Sequence, residues 1–99
     1  MEQTYNHTYL SAAGDNQIIS SGPAILHKII VGADTGSAVI EVSNSPTDGD
    51  VNLVAKFTGS TLMTALAGGI VLDLVCRAGI TLDLTNQADV TVLWRPTIN

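Results

Sequence analysis

Apolar and polar residues alternate with a period of two along most of the chain, and the runs end in Gly, Pro, Asn, Asp or Ser, which predicts about eight short β-strands. Tyr5 to Leu10 sets Tyr5, His7 and Tyr9 against Asn6, Thr8 and Leu10 and reads as a first or edge strand. Gly14-Asp15-Asn16 then reads as a turn. Gln17 to Ser20 predicts a short second strand, closed by Ser21-Gly22-Pro23, where proline withdraws a ladder donor and biases its predecessor away from helix. In Ala24 to Gly32, Ile25, His27, Ile29 and Val31 fall on one face and Leu26, Lys28 and Ile30 on the other. Both faces are largely apolar, so this strand is expected to be central. Ala33-Asp34-Thr35-Gly36 turns into Ser37 to Ser43, and these two strands read as a hairpin. Asn44 to Asp50 is almost wholly turn-forming and predicts an exposed loop. Val51 to Thr58 has the in-and-out pattern of a half-buried strand, with Val51, Leu53, Ala55 and Phe57 on one face.

Gly59 to Gly69 breaks the rhythm. Leu62 and Leu66 sit four apart, Ser60 or Thr61 is a suitable cap and Gly68 a suitable close, so a short helix and a loop both fit. Beyond it, Ile70, Leu72, Leu74 and Cys76 alternate with Val71, Asp73, Val75 and Arg77. Two further runs then follow, Ile80 to Thr85 and Val90 to Arg95. Pairing Leu84 with Val90, Leu82 with Val92 and Ile80 with Trp94 keeps the apolar residues on one side and predicts a second hairpin. A two-residue turn at Ala78-Gly79 would set Leu74 opposite Asp83, so Gly79 carries a bulge or the chain crosses between sheets there. Short strands at this spacing predict one all-β domain over residues 1–99. The architecture is an antiparallel sandwich or jelly roll, with residues 1–15 as an N-terminal segment forming an edge strand or an interaction arm.

Composition strengthens the β assignment and narrows the function. Isoleucine, valine and threonine fill 29 of the 99 positions, and these β-branched side chains suit a pleated surface. Hydrophobic residues are 45% and charged residues 13%, about half the usual quarter, which excludes a disordered tail. With a net charge of −5 the chain lacks the Lys and Arg that track phosphates, so no nucleic-acid partner is expected. No run approaches a membrane span and residues 1–11 lack the features of a secretory signal. Neither a membrane partner nor export is expected, and synthesis in a cytoplasm is the default. Little polar material covers an apolar chain, which is a first sign of a partner surface.

Candidate chemistry is sparse. Asp34-Thr35-Gly36-Ser37 matches the D-T-G-S turn of aspartic proteases, and a retropepsin-like subunit of that family is similarly small, β-rich and dimeric; two such aspartates would share one proton. The resemblance ends there: Gly32-Ala33 stands where an apolar run is required, no flap segment lies between Val39 and Phe57, and Leu93-Trp94-Arg95 lacks the late glycine. A hairpin turn is the simpler reading. His7 and His27 have no Cys, Asp or Glu at ligand spacing, so no metal is expected, and His27 among isoleucines reads as a core or interface imidazole. Cys76 shares the face of Leu72 and Leu74 and reads as inert packing. Asp73 and Asp83 are a formal acid pair but share outward parity, and read as a solvated face. Asn6-His7-Thr8 is a glycosylation sequon, expected to be silent without export. Gly68-Gly69 lacks the lysine of a phosphate loop. No catalytic residue and no cofactor follow from the sequence, and a glycan-binding module is disfavoured by only four aromatic residues.

Three stretches together carry a further resemblance: Gly22 to Val31, with its Leu26-His27 pair; Ala78-Gly79-Ile80-Thr81-Leu82; and Ala88-Asp89-Val90-Thr91-Val92-Leu93-Trp94-Arg95. Over roughly residues 17–95 the chain resembles small structural proteins of tailed bacteriophages, with the Leu62 to Gly69 segment richer in Leu, Met and Ala than the usual loop. The resemblance implies a non-enzymatic virion β-sandwich, most simply a capsid decoration, or cement, protein. Such a protein is made in the host cytoplasm and seated on the capsid exterior, where it binds the major capsid protein as a homo-oligomer, typically a trimer; a neck or tail component is the alternative. Acidity fits the outside of a head better than its DNA-facing interior. Candidate contact residues are Tyr5, His7 and Tyr9 in the N-terminal segment, Pro46 and Asp48 in the polar loop, and Trp94.

Overall fold

The computed structural model describes residues 5–31, 38–58, 69–86 and 89–97. They form eight strands: β1 (Asn6–Leu10), β2 (Gly14–Ser20), β3 (Ala24–Val31), β4 (Val39–Ser43), β5 (Leu53–Thr58), β6 (Ile70–Cys76), β7 (Ile80–Thr85) and β8 (Val90–Pro96). One sheet has the order β1-β8-β3-β6 and the other β2-β7-β4-β5, with every pairing antiparallel. Successive strands from β1 to β4 alternate between the sheets, as do β6, β7 and β8. This interleaving of two four-stranded sheets is the jelly-roll arrangement of a β-sandwich.

The core lies between the sheets. Leu26, Ile29, Val90 and Val92 of the first sheet are buried, as are Ile40, Val42, Ile80, Leu82 and Leu84 of the second, with Cys76 at the end of β6. At roughly 25 cal/mol per Å² of apolar area removed from water, each such Leu or Ile contributes about 1.5–3 kcal/mol, so the two facing stripes dominate stability. Trp94 packs half-buried at their margin and donates from Nε1 to Thr8 Oγ1 at 2.9 Å, which ties β8 to β1.

Both expected hairpins are replaced by crossings. β3 pairs with β6 and β8, whereas β4 pairs with β5 and β7. Leu84 lies opposite Ile40 and Val90 opposite Val31 and Leu10, so the pairs proposed from parity are not formed. Parity identifies the buried face of a strand, and that face is the same whether the neighbour is sequential or remote. The crossing at Gly79 is one of the two alternatives that its neighbourhood allowed. Gly79 has φ +153, and a Cβ there would lie 2.6 Å from Ser20 O and 2.8 Å from Pro46 Cα. The expected turn at Gly14-Asp15-Asn16 belongs to β2, where a register shift accommodates Asn16 at φ 56. The turn containing Asp34, and with it the protease motif, lies outside the described residues, as does the short helix or loop of residues 59–68.

Candidate interaction surface

The outward face of the first sheet can be built row by row from its registers. Arg95 pairs with Ile25, which pairs with Val75, and Tyr5 precedes the residue paired with Trp94. In the next row His7 pairs with Leu93, Leu93 with Lys28, and Lys28 with Val71. The third row sets Tyr9 beside Thr91 and Thr91 beside Ile30. Aliphatic side chains therefore stand in water on this face, with Val71 and Val75 each 59% exposed and Ile30 39%.

Between the first two rows, β3 and β6 each carry one residue more than a regular ladder holds. From Leu26 to Lys28 the partner strand β8 advances only from Trp94 to Leu93, so β3 is bulged at His27; over the same interval β6 runs from Leu74 to Val71, and Asp73 adopts φ 49. The two bulges coincide. His27 Nδ1 comes within 2.5 Å of Asp73 Oδ1, and the Tyr5 ring stacks on the imidazole at 4.3 Å between centroids and 9° between planes. Of the two readings its isoleucine neighbours allowed, core or interface, the core one is excluded: His27 faces outward and is partly exposed. The bulge breaks the strict alternation of β3, so its buried positions are Ala24, Leu26, Ile29 and Val31, with Leu26 from one parity face and Ile29 and Val31 from the other. At the opposite corner the Tyr9 hydroxyl donates to Asp89, and that hydrogen bond raises the Tyr9 phenol above its ordinary pKa.

The second sheet presents a different outward face. The loop from Asn44 to Asp50, expected to be exposed, folds back over it. Ser43 Oγ donates to Gly49 O at 2.6 Å, Thr81 Oγ1 donates to Ser45 O at 2.8 Å, and Gly49 N donates to Asn16 Oδ1 at 2.8 Å. Ser43, Thr81 and Asp83 are buried beneath it, and Ser45 of the loop is itself buried. Asp83 is therefore not part of a solvated face, and it lies in the opposite sheet from Asp73. It accepts from Asn16 N at 2.7 Å and shares a hydrogen bond with Asp50, which raises the Asp50 carboxyl above its usual range; the negative charges of Asp83, Asp48 and Asp15 add to the rise. Glu41 lies directly opposite Asp83 in the ladder, with Lys56 Nζ 4.0 Å from its carboxylate.

The candidate contact residues divide between these faces. Tyr5, His7 and Tyr9 lie along the β1 edge of the first sheet, Pro46 and Asp48 on the loop over the second, and Trp94 at the core margin. The first group gains His27, Asp73, Val71 and Val75 as neighbours on one face. Only a register with coincident bulges brings these together, and nothing in the local sequence announces it. Cys76 is buried, and desolvation raises its thiol pKa, which suits packing and not nucleophilic chemistry. Among the described residues no pocket is enclosed, no three metal-ligating side chains converge, and no helix is long and apolar enough to cross a membrane. Comparison with family models, with curated proteins and with solved structures found no match to this chain.

Proposed function

We propose that the chain is a non-enzymatic virion structural protein. In this reading it is a capsid decoration protein that binds the outside of a bacteriophage head and stabilises contacts between major capsid subunits. The observation that carries the proposal is the exposure of three aliphatic side chains, Val71, Val75 and Ile30, on the paired strands β6 and β3 of one sheet face. A solvated sheet face ordinarily carries polar side chains at these positions, and contiguous apolar exposure marks a contact surface. The resemblance to phage structural proteins over residues 17–95 supplies the virion context. Self-association belongs to the same reading, with a trimer as the expected state in sedimentation experiments.

Particles assembled without this chain test the function. Loss of resistance to heat or osmotic shock, restored by adding the purified protein, is the expected result. Unchanged resistance would count against a cementing role.

A further inference from the structure

We draw no further inference here: the strongest candidate, the apolar surface of the edge strands β5 and β6, where Val54, Val71 and Val75 are exposed and Phe57, Leu72 and Leu74 only half-buried, carries nothing because nothing in the structure shows what covers it.

Discussion

His27 Nδ1 and Asp73 Oδ1 stand 2.5 Å apart because each belongs to a β-bulge, and the two bulges fall at the same height on neighbouring strands. Tyr5 stacks on the same imidazole, so one irregularity in the ladder fixes where the N-terminal segment meets the sheet. The pair is partly solvated, with side-chain exposures of 26% and 59%, and surface ion pairs contribute little to stability. Its effect is positional: it holds Tyr5 beside the row of Arg95, Ile25 and Val75.

The stack is measurable by a double-mutant cycle. Tyr5→Ala and His27→Ala, singly and together, are expected to give a coupling of about 0.5–1.5 kcal/mol in urea unfolding, the range of stacked aromatic pairs. His27→Ala should also speed proteolysis near the N-terminus to the same extent as Tyr5→Ala. Additive single effects would show that the ring contact does not hold the segment in place.

The crossing from β6 to β7 depends on Gly79. Its φ of +153 is unfavourable for any L side chain, and an added Cβ would meet backbone atoms of Ser20, Ser45 and Pro46 within 3 Å. Backbone groups cannot swing away as a side-chain tip can. Gly79→Ala is therefore expected to destabilise the fold by about 2–3 kcal/mol, through strain and overpacking together, read as a lower urea midpoint. Gly22→Ala is the control, since a Cβ there meets nothing within 4 Å. Equal midpoints for the two variants would contradict the crossing geometry.

Much of this fold is legible in the chain, and the illegible part has a common physical origin. Period-two alternation locates all eight strands to within a few residues, because each strand has one face against the core whatever its neighbours are. The alternation of β6 gives Leu72, Leu74 and Cys76 their inward side without knowledge of β3. Partner identity is a different quantity. Leu84 fits Val90 by parity as well as it fits Ile40, and only the global closure of two sheets selects Ile40. Asp83 has the outward parity of a solvated residue and is buried because a loop more than thirty residues earlier in the chain folds over it. The interaction surface shares this character, since bulges at His27 and Asp73 coincide only after β3 and β6 have paired. The exposed Val71 and Val75 were the available signal, being apolar at positions where the strand's outer face calls for polar residues.

Cys76 provides a probe of the packed state. It is fully buried at the end of β6 and its thiol pKa is raised by desolvation, so little thiolate is present or accessible in the native protein at pH 8. Labelling by a disulfide reagent is expected to be roughly a hundredfold slower in buffer than in concentrated urea, with a rate set by opening of the sandwich. Leu26→Ala, which empties a buried position in the same core and should cost about 2–5 kcal/mol, is expected to accelerate it. Rapid labelling of the native protein would mean that the β6 end of the core is open.

The carboxyl pair formed by exposed Asp50 of the polar loop and buried Asp83 gives the fold a pH dependence whose sign follows from its geometry. Asp50 donates to or accepts from buried Asp83, and this hydrogen bond, followed by the nearby negative charge, raises the folded pKa of Asp50 above its unfolded value of about 3.8. A group whose pKa is raised on folding binds its proton more tightly in the native state. Its contribution is therefore fully present below the unfolded pKa and is lost as pH rises through the folded one. The charged groups that face the pair are Asp48 on the loop, Asp15 on β2 and Glu41 on β4, and the nearest cation, Lys56 on β5, is turned to Glu41. Nothing positive replaces the proton once it leaves, so the loop is held less firmly at neutral pH. Asp50→Asn keeps the shape, supplies an amide donor to Asp83 and removes one negative charge. Its urea midpoint is expected to exceed the wild type at pH 7, with the difference shrinking as pH falls and the wild-type carboxyl regains its proton. A difference independent of pH would show that Asp50 and Asp83 do not share a proton in the folded protein.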